Sequence, residues 1–110
     1  MTALLIPLQA EGPFFGQGIE LEGRAYRLDF RWNTRTEQWV IDVYDGGGAA
    51  LVNGVRGVIN VPLLQKYGLR EDLPPGELFL LDSTGQDLEA TLNDLGSRVE
   101  LVYLPAADLL

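Results

Sequence analysis

The sequence predicts an all-β fold, a small antiparallel barrel or sandwich of about six to eight short strands with at most one short helical turn. Three observations carry that reading. Thirteen glycines and six prolines in 110 residues leave few windows where a helix of ordinary length runs without a breaker. The one long uninterrupted window, Arg24 to Asp45, alternates with period two instead of repeating every 3.6 residues. Turn-forming residues recur about every 8–12 positions through the rest of the chain.

Each element follows in order. Residues 3–8 are apolar and read as extended. Ile19 and Leu21 alternate with Glu20 and Glu22, giving a strand that ends at Gly23. The turn Leu21-Glu22-Gly23-Arg24 leads straight into the next strand. There Tyr26, Leu28, Phe30 and Trp32 share one face, and Arg27, Asp29 and Arg31 share the other. After the polar Asn33-Thr34-Arg35-Thr36, the residues Trp39, Ile41 and Val43 again share a face. Two such runs joined by a short polar link form an antiparallel hairpin. Past Asp45-Gly46-Gly47-Gly48, residues 49–59 read as one strand, bulged or bent at Gly54 and Gly57. Val61 to Tyr67 is the one segment with helical signals, Pro62 at its first position and Gly68 as its stop. Residues 77–82 and 98–104 close the set. No internal boundary, repeat or low-complexity segment interrupts the chain, so residues 1–110 read as a single domain.

Composition narrows the chemistry. Hydrophobic residues make up 46% and charged residues 22%, the balance of a folded globular protein. Without cysteine there is no disulfide framework, thiol nucleophile or Cys-type metal site. Without histidine there is no Ser–His–Asp triad and no His-ligated metal. The net charge of −8 repels phosphate backbones and anionic lipid, so neither nucleic acid nor a membrane is expected as a partner. The start of the chain lacks the basic residues of a signal peptide, and no stretch approaches the ~20 apolar residues of a membrane span.

Four groups of residues are candidates for function. Asp82, Asp87, Glu89 and Asp94 lie close in sequence and suggest a calcium loop or a paired-carboxylate hydrolase. Their spacing is not that of a calcium loop, and solvated loop residues are the plainer reading. Gly46-Gly47-Gly48 lacks the helix, Lys and Ser/Thr of a phosphate cradle and reads as a hairpin loop. Arg24, Arg27, Arg31 and Arg35 fall in a window holding one acid, Asp29. They form either a basic stripe that docks on an acidic partner or a set of cross-strand pairs with Glu20, Glu37 or Asp42. Tyr26, Phe30, Trp32, Trp39 and Phe79 are assigned to the core by alternation. Both ends of the chain are apolar, and Leu109-Leu110 closes it without a polar tail, which points to a partner or a self-associated state.

The ordering of these blocks resembles the baseplate plug family of tailed phages. The resemblance rests on Leu21-Glu22-Gly23-Arg24-Ala25-Tyr26-Arg27-Leu28, on Arg31-Trp32-Asn33, and on Trp39-Val40-Ile41-Asp42-Val43-Tyr44-Asp45. Later blocks continue it: Val61-Pro62-Leu63-Leu64, then Gly76-Glu77-Leu78-Phe79-Leu80-Leu81-Asp82, then Asp94 through Leu104. The stretch Pro13 to Gly18 is looser than the family's first strand. The resemblance implies a non-enzymatic structural subunit of a phage or prophage tail baseplate, at its central tube, hub and spike region. It implies no catalytic residues, no cofactor and no metal. It also implies partners among the other baseplate proteins (hub, tail tube, spike) and copies of the chain itself. Synthesis in the host bacterial cytoplasm would precede incorporation into the virion. Arg27, Arg31, Arg35, Leu109 and Leu110 are the expected partner contacts. The alternative reading is a small β-barrel binding or adaptor module for an apolar ligand or a protein partner, with Tyr26, Trp32 and Trp39 lining its cavity.

Overall fold

A computed structural model describes residues 4–8, 12–67, 72–86 and 88–106. The alternating window folds as the expected hairpin, β3 (Arg24–Asn33) against β4 (Gln38–Asp45), with Trp32 opposite Trp39 and Phe30 opposite Ile41. Asn33 Oδ1 accepts the backbone N–H groups of Arg35 and Thr36, and Glu37 takes a left-handed φ of 54° to complete the turn. On the other side β3 pairs with β2 (Phe14–Leu21) through a two-residue turn, Glu22-Gly23, in which both residues have positive φ. That is the turn whose twist matches a hairpin. β5 (Ala50–Arg56) pairs with β4 and completes a sheet of order β2-β3-β4-β5. A second antiparallel sheet has the order β1-β7-β6, from β1 (Leu4–Ile6), β7 (Val99–Leu104) and β6 (Glu77–Asp82). The two sheets pack as a sandwich, which resolves the choice between barrel and sandwich.

Three elements, two strands and the helical turn, differ from the sequence reading. β2 begins at Phe14 and not near Ile19, because Gly16 and Gly18 carry no hydrophobic signal although Phe15 points into the core. The strand expected over 49–59 ends at Arg56. From Gly57 the chain leaves β4 and crosses to the second sheet: Gly57 N–H donates to Trp39 O, Ile59 bridges Leu80 in parallel, and Leu63 N–H donates to Leu78 O. The helical turn shrinks to a one-turn 3₁₀ helix, Gln65–Tyr67, and Gly68 lies outside the described residues.

Inward residues of both sheets meet in one core. Phe15 stacks on Phe30 at 4.7 Å, and Trp39 meets both Phe15 and Trp32 edge-on. The indole Nε1–H of Trp39 donates to Thr91 O, so the largest buried side chain leaves no polar atom unpaired. Tyr26, Phe30 and Trp39 are buried as expected, and Trp32 is partly buried. Phe79 is not a core residue. On β6 the inward positions are Leu78 and Leu80, so Phe79 faces outward, half-buried, opposite Val102. Leu5 lies opposite Val102 from the other side and is exposed.

Candidate interaction surface

The outer face of the four-stranded sheet gathers the arginines. Its rungs are set by register: Gly18, Arg27 and Tyr44 in one line, Gly16, Asp29 and Asp42 in the next, then Phe14, Arg31, Val40 and Arg56. Asp29 therefore stands directly opposite Asp42, an arrangement that repels unless each acid is neutralised. Each has its own arginine. Arg27 Nε donates to Asp29 Oδ1 at 2.8 Å along β3. Arg31 grips Asp42 across the strands, Nε to Oδ2 at 2.8 Å and Nη2 to Oδ1 at 3.2 Å.

Asp42 has a third donor. The bulge in β5 turns Gly54, at φ 79°, so that its N–H meets Asp42 Oδ1 at 2.9 Å. Burial alone would raise the Asp42 carboxyl, but the hydrogen bonds from Arg31 and Gly54 outweigh it and hold it below the usual range. On the other flank Gly16 makes room, since a Cβ there would collide with Asp29 Oδ1 and Arg27 Nη2. Both acids are buried while the arginine side chains stay 55% and 47% exposed. Such half-exposed pairs contribute only about 0.2–1 kcal/mol each, and the guanidinium groups remain open to a neighbour. Arg27 also lines an open groove of about 650 Å³ with Gly18, Tyr26, Asp45 and Gly46 to Gly48.

Cross-strand pairing is thus present for Arg31 and Asp42, while Arg27 turns to Asp29 on its own strand. Arg24 donates to Tyr26 Oη and to Leu73 O. Arg35 sits exposed in the β3–β4 turn. Leu109 and Leu110 lie outside the described residues.

The acidic segment before β7 is organised by Arg98, which sequence reasoning missed. Its Nη1 donates to Asp82 Oδ2 and Leu88 O, and its Nη2 to Asp94 Oδ2 and Glu89 O. Hydrogen bonds from Thr84, then from Leu88 and the charge of Arg98, hold Asp82 at a pKa of about 2. Hydrogen bonds from Arg98 and Thr91 hold Asp94 at about 2. Two ionised carboxylates clamped by one guanidinium tie a loop; neither has the raised pKa of a general acid. Glu89 accepts the N–H of Ile59, and Asp87 lies outside the described residues. Among the described residues no group of three or more acids is arranged to hold a metal ion.

A further polar tie joins the two sheets. Tyr103, fully buried on β7, donates to Glu22 Oε2 in the β2–β3 turn and accepts from Gly76 N–H at 2.7 Å. The only sequence signal for it is a tyrosine on the inward face of an apolar strand, which needs a partner for its hydroxyl.

Comparison with known families finds a family model described as cyanophage baseplate Pam3 plug gp18, matching residues 4–106. No curated protein matches the chain.

Proposed function

The chain belongs to the cyanophage baseplate plug family, and from that membership we propose that it is a non-enzymatic subunit at the centre of the baseplate, packed against hub, tail tube and spike. As a family member it is a structural component of the tail baseplate and acts in contact with other baseplate proteins. The observation that carries the reading is the extent of the match: residues 4–106 take in both sheets and the loops between them, not one motif. Synthesis in the host cytoplasm precedes assembly into the virion in this reading.

The contact residues in this proposal are Arg27, Arg31 and Arg35, with the chain end at Leu109 and Leu110. Arg27 commits only Nε to Asp29, and Arg31 commits Nε and Nη2 to Asp42, so both keep donors for carboxylates or carbonyls of a neighbour. The test is co-expression of the tagged chain with its genomic neighbours, followed by mass spectrometry of what co-purifies. Hub, tube or spike subunits are expected. Reversal of Arg35 to Glu, in the exposed β3–β4 turn and apart from the two buried acids, should weaken their recovery while the fold, read by circular dichroism, persists. A chain that purifies free of all three overturns the proposal.

A further inference from the structure

We infer that β2 is a self-pairing edge, and that two copies of this chain join antiparallel through it about a two-fold axis at Gly18. Among the described residues β2 ends its sheet with no strand on its outer side. Trp32 N–H donates to Pro13 O, so Pro13 points toward β3 and the backbone N–H and C=O groups of Phe14, Gly16, Gly18 and Glu20 point outward. Proteins usually protect such an edge with a short strand, a bulge, a lysine, a proline or a covering segment. The other edges have these devices. β1 is three residues long, β5 is bulged at Gly54, and β6 is covered by the 57–63 crossing. Among the described residues β2 has none: eight residues in unbroken register, without Lys or Pro.

Charge selects the occupant and the register. When Gly18 pairs with Gly18 of a second copy, Glu20 of each copy lies opposite Gly16 of the other. Over Gly16 lies the Arg27 guanidinium, its Nη2 2.6 Å from where a Cβ would stand. Each Glu20 carboxylate therefore meets an arginine that has donors to spare, twice by symmetry, as an isologous interface requires. Moving the register so that Gly16 faces Gly18 sets Glu20 against Phe14 and forfeits both pairs. A strand edge buries less than a standard interface, so the dimer is weak, with Kd on the order of micromolar. The pairing rests on the geometry and charge of this strand edge and is argued separately from the plug role.

Sedimentation equilibrium of the full chain reads it. Wild type is expected to pass from monomer to dimer with concentration. Gly18→Pro removes an outward N–H at an edge position that tolerates proline, and should weaken the dimer by about tenfold or more. Arg27→Glu and Glu20→Arg should each be monomeric, because their homodimers set like charges together. An equimolar mixture of the two satisfies both pairs and should restore dimers. Circular dichroism confirms that each variant is folded, and Glu20→Arg, on an exposed position, carries the test if Arg27→Glu is not. A wild type that stays monomeric overturns the inference. So does a dimer that Gly18→Pro leaves intact, or a mixture that fails to restore association.

Discussion

The Tyr103 hydroxyl and the Glu22 carboxylate, 81 positions apart, meet at 2.5 Å and join the β2–β3 turn of one sheet to the central strand of the other. Burial, then the hydrogen bond to Glu22, pushes the Tyr103 hydroxyl pKa well above the ordinary value of 10. The folded chain keeps this proton where the unfolded chain loses it. The stability linked to Tyr103 is therefore full below about pH 10 and declines as pH rises beyond it. Tyr103→Phe should cost about 1–3 kcal/mol in urea unfolding at pH 7, because Gly76 N–H loses its acceptor inside the protein. It should also flatten the loss of stability above pH 10.

Gly76 is held by the same tyrosine. A Cβ there would run into Leu104 O and the Tyr103 ring and hydroxyl. None of these is a flexible side-chain end. Gly76→Ala should cost about 3 kcal/mol or more, read by the same unfolding measurement.

Acid should loosen the segment between β6 and β7. Asp82 and Asp94 titrate near 2 in the folded chain against an ordinary value of 3.8. Both carry fewer protons folded than unfolded in that interval, so their contribution is present above about pH 4 and is lost as pH falls toward 2. Arg98→Met should shrink this acid-dependent loss, with Asp42 leaving a residue of it. The same variant should speed proteolysis within residues 83–98 at pH 7.

Gly54 and Gly18 separate backbone strain from space. Neither position is crowded, but Gly54 has φ 79° and Gly18 has an ordinary extended φ. Gly54→Ala should cost about 1–2 kcal/mol through the left-handed backbone. Gly18→Ala should stay within about 0.5 kcal/mol of wild type. Equal effects would remove the strain argument.

How much of this was legible depends on sequence distance. The β3–β4 hairpin could be read because its signal is local: alternation over 24–45 and a polar link at Asn33–Thr36. The same alternation assigned Tyr26, Phe30 and Trp39 inward. It failed for Phe79, where an apolar residue on both faces of a short strand hides which face is the core. It failed for the start of β2, where glycine has no side chain to show a period. Strand order within the sheets, and so sandwich over barrel, arises from pairings such as Leu4 with Tyr103 that no local pattern encodes. The site was half legible. The arginines of β3 stood out by density, and Asp42 was among their proposed partners. That Asp29 faces Asp42, and that Gly16 and Gly54 exist to accommodate the two pairs, needed register. Arg98 looked like any surface arginine until its four acceptors were in place.

The pairing of β1 with β7 also governs the order in which the protein can form. Closing a loop of about 97 residues costs roughly 4 kcal/mol of chain entropy before any contact repays it. The local meander β2 to β5 bears no such burden, because each strand meets the one made just before it. On a ribosome, β1 emerges well before β7, the strand it pairs with among the described residues. A strand synthesised early is thus among the last to settle, and until then its exposed leucines are what a chaperone would see.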